Sequence, residues 1–191
     1  IDAVPVPGYV AEEDTPEHSN TETFVALKAK IDNWRWAGVP FFLRTGKRMP
    51  EKVAEIVIQF REVPHAVFPS AGGMSAGNRL VIRLQPEEDI RLYLMAKEPG
   101  NAMKVKPTYL SLDFCQVFAG RRAEAYERLL LDVIDGKLAL FMRRDEVMAA
   151  WEWVTPIMRY WAEEESGPLP YPAGTWGPEA ATVLLSKIGV A

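Results

Sequence analysis

The sequence predicts an α+β domain with a large, mostly antiparallel sheet followed by helices, and three observations carry that expectation. Six segments rich in Val, Ile, Leu and aromatics lie in the first 120 residues, separated by Gly, Pro, Ser or Asn. Most of their connections are too short for the crossovers that parallel strands need. The apolar period then changes from two to 3.6 in the last third.

Residues 1–20 carry three prolines, several acids and no period, and read as an irregular lead-in. Alternation in Thr23–Ile31 predicts a first strand, with a helix left open because Ala, Leu and Lys are good helix formers. Asp32–Gly38 fits a short helical turn, capped by Asp32 and stopped by Gly38. Pro40 opens a second strand, PFFLR. Further strands are expected over Lys52–Glu62, Asn78–Gln85, Asp89–Ala96 and Thr108–Phe118, which completes a sheet-rich part over 21–120. Alternation in Lys52–Glu62 is imperfect, because Val57 adds a second apolar face to that of Val53, Ile56, Ile58 and Phe60.

Residues 121–191 read as mainly helical. Tyr126, Leu129, Leu130, Val133 and Ile134 form one stripe, so Glu124–Asp135 is an amphipathic helix ended by Gly136. A second helix starts at Arg144 and carries Val147, Met148, Trp151, Val154 and Met158, with a kink expected at Pro156. Trp151 and Trp153 fall on nearly opposite sides, so one stripe cannot bury both. GPLPYPAGTWGPEAA reads as a rigid Pro-rich loop, and Pro178 as the first residue of a final helix through Lys187.

The 191 residues suit one globular domain, or at most two very small ones. Hydrophobic residues make up 48% of the chain, enough for a core and too many for wholesale disorder. With 22 basic and 26 acidic side chains the net charge is −4, which argues against nucleic acid or an anionic membrane as the main partner and makes any basic site local. No apolar run approaches a membrane span, and residues 1–10 do not resemble a signal peptide. The single cysteine, Cys115, excludes an internal disulfide and suits a reducing, cytoplasmic setting. Its place in a strand pattern makes a buried, inert thiol the expectation.

Few residues invite chemistry. His18 and His65 lie in irregular segments away from any Ser or Cys motif and read as loop residues. No CxxC, HExxH or paired-His spacing offers a metal site, and no GxGxxG or GxxxxGK[ST] offers a nucleotide loop. What remains is the run Arg44-Thr45-Gly46-Lys47-Arg48 with Lys52, four cations within nine residues directly after a strand. Gly46 permits close backbone approach and a lysine supplies a mobile charge suited to a phosphate dianion. The alternative is a solvated basic turn. Gln85, before Pro86, either reaches a ligand hydroxyl or caps a turn.

TETFVALKAKIDNWRWAGVPFFLRTGK (Thr21–Lys47) closely resembles the start of the C-terminal domain of glucose-6-phosphate dehydrogenase. The resemblance continues through KVAEIVIQF, NRLVIRLQPEE, AYERLLLDVIDG, RRDEVMAAWEWVTPI and YPAGTWGPEAA, and so covers about the whole chain. It implies an enzyme that moves hydride from C1 of glucose 6-phosphate to NADP, giving 6-phosphogluconolactone in the oxidative pentose phosphate pathway. An N-terminal Rossmann domain would supply the nucleotide loop and the catalytic His, and neither of those motifs occurs here, so no catalytic residue is assigned in this chain. The resemblance assigns Lys47, Lys52 and Gln85 to the sugar-phosphate site. Arg44 matches a position that in mammalian members helps hold a second, structural NADP, but the companion basic positions align with Val53 and Val57, so no structural NADP is expected. The family also implies helices mainly on one face of the sheet and a homodimer or tetramer built through the sheet. By itself the chain is expected to be catalytically silent and to belong to a longer polypeptide. A stand-alone sugar-phosphate binding or protein-interaction module is the rival reading.

Overall fold

The computed structural model describes residues 6–16, 19–62, 65, 77–118, 125–164 and 167–186. His18, residues 69–76 and Lys187 lie outside them. The strands are β1 (Phe24–Lys30), β2 (Pro40–Gly46), β3 (Ala54–Gln59), β4 (Arg79–Gln85), β5 (Asp89–Lys97) and β6 (Val105–Asp113). The helices are α1 (Phe114–Val117), α2 (Ala125–Ile134), α3 (Arg144–Glu163) and α4 (Glu179–Ser186). The class is α+β, and every strand pairing among the described residues is antiparallel.

Hydrogen bonding divides the expected single sheet in two: a β1–β2 hairpin and a four-stranded sheet in the order β3–β4–β5–β6. Two compact units follow the same division, Ile1–Glu51 with Leu129–Ala191, and Lys52–Arg128.

In the first unit Phe24 pairs with Gly46 and Lys30 with Pro40. Proline as first residue of a strand forfeits no interior ladder bond. The link between these strands is a turn, as expected over Asp32–Gly38, but its cap differs. Asn33 Oδ1, rather than Asp32, accepts from Trp36 N at 2.9 Å, and Gly38 leaves the turn at φ +76°. A side-chain bond of this kind competes with a helical one. Helix α3 contains Pro156 and begins where Glu146 accepts the Arg143 N–H at 2.8 Å. Trp151 and Trp153 are 57% and 50% exposed, so neither ring is buried against α3's neighbours among the described residues. Helix α4 packs on β1 and carries Ala181, the one buried apolar residue among those described.

In the second unit the register sorts the four-stranded sheet into two unlike faces. Ile56, Ile82, Ile90 and Leu112 stand in one row, and Ile58, Leu80, Leu92 and Leu110 in the next on the same face. The opposite face carries the row Glu55, Arg83, Asp89, where Arg83 lies 3.5 Å from Glu55, and Asp89 accepts from Arg91 at 2.7 Å. Hydrogen bonding to Tyr93, aided by the Asp89 charge, holds the Arg91 guanidinium above its ordinary pKa. The aliphatic face is open, with Leu110 65% and Ile56 48% exposed.

The strand expected over Thr108–Phe118 ends at Asp113. The Asp113 carboxylate accepts from Cys115 N at 2.8 Å and Gln116 N at 3.2 Å, which caps the short helix α1. Cys115 is therefore helical and exposed, not a buried strand thiol.

Candidate functional site

The basic loop leaves β2 at Gly46, and both backbone polar groups of the next residue are engaged. Lys47 N donates to Thr23 O at 2.8 Å, and Lys47 O accepts from Tyr171 Oη at 2.7 Å. Thr23 O also accepts from Tyr171 Oη, at 3.0 Å, using its second lone pair. Arg48 sits at φ +48°, the left-handed region, where its carbonyl accepts from Gly174 N at 2.8 Å and its guanidinium pairs with Glu12 at 2.8 Å. The side chain of Lys47 itself is exposed. A fixed backbone beneath a free ammonium suits the capture of a phosphate from solvent.

Arg44 is directed elsewhere. Its guanidinium lies 5.0 Å from the Trp176 ring centroid, a cation–π contact, and its charge is shared with that indole face.

Lys52 and Gln85 belong to the second unit and mark one end of its sheet. Gln85 pairs with Ala54, two residues beyond Lys52, and both side chains are exposed. The register shifts between Ala54 and Glu55, because Glu55 pairs with Arg83 and leaves Leu84 as the extra residue. Val53 precedes β3 and lies three residues before Ile56, so it falls out of phase with Ile56 and Ile58. The extra residue, Leu84, immediately precedes Gln85, and bulges re-aim the side chains next to them. Lys47 lies in the first unit, so the structure groups Lys52 with Gln85 and describes Lys47 on its own.

A cavity of about 470 Å³ opens in the first unit between β1, the end of α3 and α4. Phe24, Trp161, Leu169 and Leu184 line it together with Glu22 and Glu164, and no described residue of its lining is a cation. A phosphate would meet two carboxylates there, so this cavity does not suit a sugar phosphate. His65 is exposed. Among the described residues no cluster of His, Cys, Asp and Glu could hold a metal ion. No described helix is long and apolar enough to cross a membrane.

Sequence reasoning missed the role of Tyr171, Gly174 and Trp176, which the pattern marks only as part of a rigid loop. The alternation of aromatics and glycines in YPAGTWG was the available signal.

Comparison with known proteins agrees along the whole chain. A family model described as "Glucose-6-phosphate dehydrogenase, C-terminal domain" matches residues 1–191. Glucose-6-phosphate 1-dehydrogenase of Mycolicibacterium smegmatis is 54% identical over 184 residues, covering 96% of this chain and 37% of that protein. The Rhizobium meliloti protein of the same name is 51% identical, covering 97% of this chain and 38% of its own length. A solved structure described as "Glucose-6-phosphate dehydrogenase in complex with its substrate glucose-6-phosphate" superposes with a TM-score of 0.82 at 38% identity, over 97% of this chain and 38% of that one. The chain thus spans less than two fifths of the relatives it matches. With the match complete in sequence and the fold shared, the chain belongs to the family of glucose-6-phosphate dehydrogenase C-terminal domains.

Proposed function

We propose that this chain is the substrate-binding and oligomerisation part of a glucose-6-phosphate dehydrogenase, which oxidises D-glucose 6-phosphate to 6-phospho-D-glucono-1,5-lactone with NADP in the oxidative pentose phosphate pathway. The observation that carries the reading is the match to this family's C-terminal domain across residues 1–191. Lys47 and Lys52 supply positive charge to the phosphate, and Gln85 donates to and accepts from sugar hydroxyls. The exposure of all three side chains supports that assignment.

The chemistry of hydride transfer belongs to the rest of the polypeptide. Hydride leaves C1 only as the C1 hydroxyl loses its proton, and that step needs a positioned base. Neither histidine lies in a catalytic sequence motif. The residues present do not fit a dinucleotide either: the sequence has no Gly-rich loop between a strand and a helix, and Arg44 faces Trp176. NADP therefore falls to an N-terminal Rossmann domain of the same polypeptide. The 191 residues alone, mixed with glucose 6-phosphate and NADP, are expected to form no NADPH; turnover by this chain would overturn the reading.

The aliphatic face of the four-stranded sheet supports self-association, because an open row of Ile and Leu is characteristic of a protein interface. We assign that face to a second copy in a homodimer or tetramer. Analytical ultracentrifugation of the full-length protein is expected to give a dimer or larger species, and a strict monomer at high concentration would remove this part of the proposal. A cytoplasmic location completes the reading, supported by a single cysteine in 191 residues.

A further inference from the structure

The loop from Tyr171 to Gly177 closes on the lysine loop at three places. The single Tyr171 hydroxyl proton is shared between the carbonyls of Lys47 and Thr23, at 2.7 and 3.0 Å, and so bridges the start of β1 to the end of β2. Gly174 N donates to Arg48 O at 2.8 Å from a backbone at φ +78°, a conformation natural to glycine. Trp176 lies under the Arg44 guanidinium. The loop is itself held in shape: Thr175 Oγ1 donates to Pro172 O at 2.7 Å, and the Tyr171 ring rests on Phe24 with centroids 5.4 Å apart. All these residues belong to one compact unit.

We propose that this loop is a positioning element for the phosphate-binding lysine, with the Tyr171 hydroxyl acting through the backbone of Lys47. The inference rests on the reading of Lys47 as a substrate ligand. A lysine side chain is long and flexible, so binding through it costs conformational entropy. If the peptide beneath it also moves, binding must order that peptide too. Fixing Lys47 N on Thr23 and Lys47 O on Tyr171 orders the peptide before the substrate arrives, which favours affinity without new substrate contacts. Tyr171 is a positioning residue and touches no substrate atom.

The test uses the full-length dehydrogenase carrying this chain. Tyr171→Phe deletes the hydroxyl and keeps the ring on Phe24. It is expected to raise KM for glucose 6-phosphate about threefold to tenfold, the scale of one lost hydrogen bond, with kcat little changed. In a Lys47→Ala background the same substitution is expected to leave KM where Lys47→Ala put it, because the hydroxyl then has no lysine to position. A purely structural role would instead move KM by the same factor in both backgrounds, and that result overturns the proposal. So does an unchanged KM in Tyr171→Phe. If Lys47→Ala itself leaves KM unchanged, the assignment of Lys47 falls first, so the two failures are told apart.

Discussion

Lys47→Ala in the full-length enzyme is expected to raise KM for glucose 6-phosphate by about tenfold to a hundredfold while leaving kcat nearly unchanged. A hydrogen bond to a charged group contributes about 1.5–3 kcal/mol, and each 1.4 kcal/mol is a factor of ten. The phosphate lies remote from C1, where the reaction occurs, so under the proposed assignment Lys47 would hold ground state and transition state alike. Loss of such uniform binding appears in KM. Stability is expected to stay within about 0.5 kcal/mol of the parent, since the Lys47 side chain is exposed and its ammonium makes no hydrogen bond or ion pair among the described residues. Steady-state kinetics alongside a denaturation curve checks both halves of the expectation. An unchanged KM removes Lys47 from the site, and a large loss of stability with altered kcat marks it as structural.

Much of the fold was legible because its signals are local. The Asn78–Gln85 and Asp89–Ala96 expectations differ from β4 and β5 by one residue at one end, since alternation of aliphatic and polar side chains is written in consecutive positions. Where a single side chain decides the backbone, that reading fails. The alternation of Thr108–Phe118 runs straight through Asp113, yet the Asp113 carboxylate takes two amide protons and turns the chain into α1. The sequence pattern places the cap at Asp32, and geometry moves it one residue on, to Asn33. The break between the two sheets also escaped, because an apolar strand pattern names its faces and not its neighbour. In the candidate site the density of cations marked the Lys47 loop, but its support comes from Tyr171, 124 residues away in sequence. A hydrogen bond at that separation leaves no periodicity to read.

Gly177→Ala is expected to lower stability by about 2–6 kcal/mol, a large loss for one added methyl group against a total of roughly 5–15 kcal/mol for a domain. Two costs combine. Gly177 has φ +103°, outside the regions open to residues with a side chain, a strain of about 1–3 kcal/mol. An added Cβ would also overlap Cε2 and Cζ of Phe24, and overpacking of this kind costs about 1–3 kcal/mol. Phe24 cannot move aside freely, because its ring packs on Tyr171 and its Cδ2 already faces Gly46, where a Cβ would lie at 2.6 Å. Gly100 separates the two costs, since it has φ +113° and nothing within 4 Å of an added Cβ. Gly100→Ala is therefore expected to lose only the backbone share. Shrinking the ring with Phe24→Leu should return part of the loss in Gly177→Ala, so the double substitution destabilises by less than the sum of the two. Urea denaturation of the four full-length variants measures this directly. Equal losses at Gly177 and Gly100, or strict additivity with Phe24→Leu, would show that the Phe24 contact does not constrain the loop. A non-additive result places Phe24 between Gly177 and Gly46 as the wedge that keeps the Tyr171 loop seated on Lys47.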